Sequence, residues 1–479
     1  MDNPHLKQAC YVSGQWISAR SGATFPVTDP ASGETIAAVP DCGAEETQAA
    51  IIAAERALPG WRALTAEQRS DCLIRLHDLM LGNLTTLAEL LVCENGKPRA
   101  EAEGEIRYAA GFVRWFAAEG RRIYGETIPA SHPDKRLLVT RQPVGVCALI
   151  TPWNFPCAML ARKLAPALAA GCTVVAKPAE ETPLSALALA ALCEQAGIPG
   201  GVVNVVTSRA PEVVGGVLTA SPVVRKLSFT GSTEVGELLM TQCAPTLKRL
   251  SLELGGSAPL IVFKDADLKK AVDGAMASKY RNCGQTCVAS NRFLIHDSLV
   301  ERFAAMVTSR SSQLQQGHGL KASTTIGPMI SRSARDKVAR LVSDAISKGA
   351  TVWCGGPPTG SGLFVAPTVL TGITGEMDLW REEIFGPVVA IRSFWHEEDA
   401  VTLANATPYG LAAYFFTEDL ARSWRVSEAL DFGMVGVNTG MMSTPQAPFG
   451  GVKRSGIGRE GSRHGLDEYL ELKYTCIAL

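Results

Sequence analysis

The chain has 479 residues, 46% of them hydrophobic and 19% charged, and a formal net charge of −1. That length exceeds one simple core and predicts two or three domains of an ordinary, well-cored globular protein. The near-neutral balance excludes a broad basic field for nucleic acid or an anionic membrane, yet leaves room for a local pair of arginines facing a small acidic substrate.

Thirteen cysteines, an odd number without scaffold-like spacing, read as free thiols of a reducing, cytoplasmic compartment. The opening MDNPHLKQACYVSGQW has the pattern of neither a signal peptide nor a transit segment. No apolar run reaches the length of about eighteen residues that a membrane span needs. Cys283 and Cys287 would require further ligands to hold a metal, and the seven histidines form no cluster with them in sequence, so no metal is expected.

Residues 45–120 read as helices, because EETQAAIIAAERAL, AEQRSDCLIRLHDLML and LTTLAELLVCENGK repeat apolar residues at three- and four-residue steps. From about 134 the texture turns to β in RLLVTRQPVGVCALI. Short apolar runs then alternate with helical stretches: GCTVVAKP before SALALAALCEQAG, GVVNVVT before EVVGGVLTA, and VVRKLSFTGS before EVGELLMTQCA. This alternation predicts an open parallel α/β sheet. A second α/β series follows from APLIVF through NRFLIHD to GATVWCGG, and DEYLELKYTCIAL reads as a terminal strand.

GIGREG (Gly456, Gly458, Gly461) matches the dinucleotide fingerprint, but it follows no clear strand and precedes no ribose-binding acid, so it reads as a turn. FTGSTEVG is better placed. A strand leads in, Gly231 turns the backbone, and Ser232 opens a helix whose N-terminus suits a pyrophosphate. Lys177 and Glu180 of KPAE end another strand, either as ligand contacts or as a surface ion pair. Glu253 of LELGG is either a solvent-facing strand acid or a general base. Asn154 of ITPWNFP is either a helix cap or an amide donor to an oxyanion.

Together PWNFP, KPAE, FTGST, LELGG, GQTC, EEIFGPV and PFGGVKRSGIGREG resemble, in order and spacing, the aldehyde dehydrogenase superfamily, over nearly the whole chain. The texture of KPAEETPLSALALA, RNCGQTC and GREGSRHGLDEYLELKY is most similar to its succinate-semialdehyde branch. The resemblance implies an α/β fold of two Rossmann-type open domains with a small β oligomerisation arm. Residues 1–124 with 146–252 would bind NAD, 253–453 would be catalytic, and 125–145 with 454–479 would form the arm of a homodimer or homotetramer. It also implies Cys287 as nucleophile, Asn154 as oxyanion donor and Glu253 as the base that hydrolyses a thioester. Cys283 then reads as structural.

For the cofactor the resemblance implies Lys177 and Glu180 at the adenosine ribose, and Gly231 and Ser232 at the pyrophosphate. Glu383 would meet the nicotinamide ribose, with Phe385 and Trp153 nearby. A carboxylate at position 180 favours NAD over NADP, since it would repel a 2′-phosphate. For a carboxylated aldehyde it implies a clamp of Arg162, Arg281 and a hydroxyl, Thr444, with succinate semialdehyde the expected substrate and the longer glutarate semialdehyde the alternative.

Overall fold

The computed structural model describes residues 3–479. The helices expected between 45 and 120 form as Ala44–Ala63, Ala66–Gly82, Leu84–Asn95 and Arg99–Glu119. Behind them lies an eight-stranded sheet whose central strands, Arg249–Glu253, Val224–Thr230, Val146–Ile150, Thr173–Lys177 and Val203–Val205, neighbour one another in that order and run parallel. Cys147 and Leu149 enter one core while Val146 and Ala148 enter the other, so both faces of the sheet are covered. The first strand of the series, Val146–Ile150, has the second and the fourth on its two sides. The order therefore reverses there, and the loops after Ile150 and Thr230 part to open the crevice that binds ligands in such sheets.

A seven-stranded sheet follows, parallel except for its edge strand Thr351–Cys354. Its neighbouring strands Ala258–Val262, Ser290–His296 and Val388–Phe394 begin at nearly the same level. The turns just ahead of those starts hold Gly256, Cys287 and Phe385. The site thus lies between the carboxyl ends of one sheet and the amino ends of the other.

The run RLLVTRQPVGVCALI is indeed β, but it splits at Gly145, where φ is 123°. Lys135–Pro143 joins Leu470–Ala478 and Glu126–Ile128 in a separate antiparallel arm, while Val146–Ile150 enters the large sheet. One assignment needs correction. Gly456–Ile457, expected with the arm, pairs antiparallel with Leu252–Glu253 at the edge of the first sheet. Gly456 belongs to GIGREG, which is thus an edge strand and turn. Among the described residues no helix is long and apolar enough to cross a membrane.

Candidate active site

A cavity of about 280 Å³ opens where the two sheets meet, with Cys287 on its wall. The loop carrying Cys287 is held by unusual backbone geometry. Asn282, Cys283 and Gly284 take φ of 50°, 57° and 75°, a left-handed run that costs energy at the two non-glycine positions and needs fixing from outside. Glu101 supplies one fixing point, accepting the Asn282 N–H at 2.7 Å. Gln285 supplies others: its fully buried side chain accepts the Ile330 N–H at 2.9 Å and donates to the Asn282 carbonyl at 3.1 Å. Gly256 is required opposite, because a Cβ there would come within 2.7 Å of the Cys287 carbonyl oxygen.

Asn154 faces the same cavity and does not cap the following helix. Phe155 stands at the cap position, and Glu105 accepts the first helical N–H groups of Cys157 and Ala158 at 3.0 and 3.1 Å. The Asn154 amide donates to the Gln285 carbonyl at 3.1 Å, which ties it to the loop carrying Cys287. Its backbone carbonyl accepts from Lys97 and from the Asn282 side chain, both at 2.8 Å, and Lys97 is ion-paired with Glu105 in full burial. Lys97, Glu101 and Glu105 escaped the sequence reading because periodicity assigns a charged stripe at four-residue steps to solvent. Here it faces inward.

Burial pushes the Cys287 thiol up to about 12, with the Glu383 and Glu253 carboxyls adding to the rise and Arg162 and Arg281 opposing it. A thiol so raised is almost wholly protonated near neutrality. Its alkylation by iodoacetamide in the cofactor-free enzyme is expected to quicken about tenfold per unit from about pH 7 to 9. A rate that levels off below pH 8 would contradict this reading of the site. Cys283 is buried against the Met329 sulfur at 3.9 Å, also raised by burial, and packs as a core residue.

Glu253 is not the solvent-facing acid that its strand position permits. It is 2% exposed, neither carboxyl oxygen has a hydrogen-bond partner, and one oxygen lies 2.8 Å from where a Gly450 side chain would begin. Burial first, and then the charge of Glu460, hold its carboxyl well above the usual range. It is not among the residues lining the cavity, although the next two, Leu254 and Gly255, are.

Arg162 and Arg281 both line the cavity, but only one is uncommitted. Arg162 belongs to a helix whose every residue is buried, and its Nε meets the Glu460 carboxylate, which also takes Lys163. Its guanidinium lies 4.1 Å from the Phe449 ring centre. Arg281 sits over the Phe155 ring, and its charge acts on Cys287. Thr444, the residue expected to offer a hydroxyl, does not face the cavity. Thr444 is exposed and bonds Gln446, whereas Ser443 lines the cavity. The segment Met441–Pro445 has no repeating structure, so no periodicity reveals which of two adjacent hydroxyls turns inward.

The remaining residues suit a dinucleotide. Gly231 leaves bare backbone, since a Cβ there would strike the Phe229 ring at 2.3 Å. Ser232 caps the helix Thr233–Cys243 by accepting the Val235 N–H, and the other N–H groups of the first turn stay free for an anion. Glu383 is raised to about 7 by burial and holds only the Gly256 N–H at 3.3 Å, leaving acceptor capacity for ribose hydroxyls. Trp153 and Phe385 meet edge to face at 5.6 Å beside it. Lys177 and Glu180 make the ion pair foreseen as their plainer reading, at 2.9 Å, with Lys177 buried and Glu180 partly exposed at the end of its strand. They stand outside the walls of the Cys287 cavity.

The profile of the aldehyde dehydrogenase family matches residues 16–475. The chain is 54% identical to a succinate-semialdehyde dehydrogenase [NADP(+)] of Escherichia coli, covering 100% of this chain and 99% of that protein. It is also 54% identical to a 3-sulfolactaldehyde dehydrogenase (98% and 97% covered) and a glutarate-semialdehyde dehydrogenase (99% and 98%), both of Pseudomonas putida. The solved succinate-semialdehyde dehydrogenase of Burkholderia pseudomallei superposes with a TM-score of 0.98 at 53% identity, with 100% of both chains covered. A family profile matched over residues 16–475, with a relative 54% identical over the whole chain, makes this protein an aldehyde dehydrogenase and a member of that family.

Proposed function

We propose that the enzyme oxidises short aldehydes bearing an anionic tail, succinate semialdehyde foremost, to the corresponding acids. One observation carries this reading: Arg281, Arg162 and Ser443 share a cavity with Cys287. The named substrates of the three relatives support it, since each carries a carboxylate or a sulfonate at the end away from the aldehyde.

The chain's residues divide the chemistry as follows. The Cys287 thiol loses its proton to water, its sulfur attacks the aldehyde carbon, and the Asn154 amide with the Cys287 N–H receives the charge that develops on oxygen as the carbonyl π bond opens. The nicotinamide, when bound, supplies the hydride acceptor. Gly231, Ser232, Glu383, Phe385 and Trp153 would hold its inner half, and Lys177 and Glu180 the adenosine ribose. Glu253, a strong base once it has lost its proton, draws a proton from water that cleaves the thioester.

The partly exposed Glu180 carboxylate accepts ribose hydroxyls and repels a 2′-phosphate, so we assign NAD as the preferred cofactor. Kcat/KM measured with each dinucleotide should favour NAD, and a higher value with NADP would remove Glu180 from this role. Exposed Leu472, Tyr474 and Ile477 on the arm support pairing with a second copy. Thirteen unpaired thiols, including Cys10 and Cys42 with sulfurs 3.4 Å apart, support a cytoplasmic setting.

The deciding assay compares kcat/KM for succinate semialdehyde, glutarate semialdehyde and butanal. Succinate semialdehyde should exceed butanal by about two orders of magnitude, the scale of two or more hydrogen bonds to a charged group. One added methylene should cost about 1–3 kcal/mol. Equal rates for butanal would end this assignment. Better rates with glutarate semialdehyde would move it one carbon along.

A further inference from the structure

The cationic pair is less free than two arginines suggest, and this leaves a donor to be found. Arg162 is ion-paired with Glu460, touches the Met159 sulfur through Nη2 at 3.1 Å and lies over Phe449. A carboxylate or sulfonate tail has several acceptor sites, and in a wall of Met159, Phe155 and Phe449 each one left unmatched is costly. Tyr108 lines the same cavity as Arg162, Arg281 and Ser443, and its hydroxyl gives no hydrogen bond among the described residues that would commit it. Its ring meets Phe112 edge-on at 4.8 Å, which fixes its direction.

The placement of Tyr108 is rigid for a second reason. It stands on the helix Arg99–Glu119, one turn beyond Glu105 and two beyond Glu101. Glu105 holds the start of the helix bearing Arg162, and Glu101 holds the backbone next to Arg281. One helix therefore sets the positions of both arginines and carries the phenol that shares their cavity. Burial keeps that phenol above its ordinary pKa, with Arg162 and Arg281 pulling the other way, so it remains a proton donor at neutral pH.

We infer that the Tyr108 hydroxyl is a specificity-determining donor to the anionic tail of the aldehyde, acting with Arg281 and Ser443. The inference rests on the anionic-tail reading above. Its test is Tyr108→Phe, which keeps the ring and its packing on Phe112 and removes one oxygen. Wild type and variant are compared for kcat/KM on succinate semialdehyde and butanal, and for the Kd of succinate by calorimetry. The variant should lose about tenfold or more with succinate semialdehyde, mainly in KM, and bind succinate correspondingly more weakly. Butanal should change by less than about twofold, because a neutral chain has no use for the donor. An unchanged ratio of the two aldehydes in the variant, or equal loss with both, would overturn the role of Tyr108 while leaving the substrate class intact. A wild-type enzyme without preference for the anionic aldehyde would overturn both.

Discussion

Replacing Glu253 with Gln should separate the two halves of turnover. Mixing the variant with aldehyde and cofactor should release reduced cofactor in a first burst, after which steady turnover should fall by about 10²–10⁴-fold, the usual contribution of a general base. Hydride leaves an adduct already formed on Cys287, so the burst needs no base at position 253. Hydrolysis does. The variant should fold normally, because neither carboxyl oxygen of Glu253 has a hydrogen-bond partner to lose and Gln keeps the shape of the buried side chain. Cys287→Ala should show neither burst nor turnover while still binding NAD, which stopped-flow absorbance and calorimetry would record. Full steady-state turnover in Glu253→Gln would remove that residue from the mechanism.

Arg281→Ala should reduce the preference for anionic over neutral aldehydes by about 10–100-fold, the value of one hydrogen bond to a charged group at roughly 1.5–3 kcal/mol. The ratio is the informative quantity. Arg281 also lowers the Cys287 thiol's pKa, so its loss should slow every aldehyde somewhat. Only tail recognition distinguishes succinate semialdehyde from butanal. Arg162→Ala is the poorer variant, since it strips a partner from buried Glu460, and breaking a buried ion pair commonly destabilises by about 3–5 kcal/mol. An Arg281→Ala enzyme as selective as wild type would dissolve the clamp.

Most of the residues that the candidate site brings together were legible along the chain, because they sit at local punctuation. Asn154 and Ser232 follow the ends of apolar strands, Cys287 and Phe385 precede the starts of others, and Gly231 and Gly256 mark turns. Such boundaries are written in short windows of hydrophobicity and glycine, and motif order is enough to align them. Partnership is not written there. Glu460 stands 298 positions from Arg162 in the chain, and only the packing of the Gly456–Glu460 turn against the helix Pro156–Ala170 makes it the counter-charge that commits that guanidinium. The burial of Glu253 follows from the same turn. Lys97, Glu101 and Glu105 have the spacing of a solvated helix face, and tertiary contacts turn them into supports for two catalytic loops. Ser443 and Thr444 are equivalent in one dimension, and the irregular backbone of their loop decides which hydroxyl enters the cavity. The chain by itself determined the residue types gathered at the candidate site and their order. Which charges remain free to act was decided by long-range packing, because in a buried site the nearest partner, and not the residue's own chemistry, sets its charge and reach.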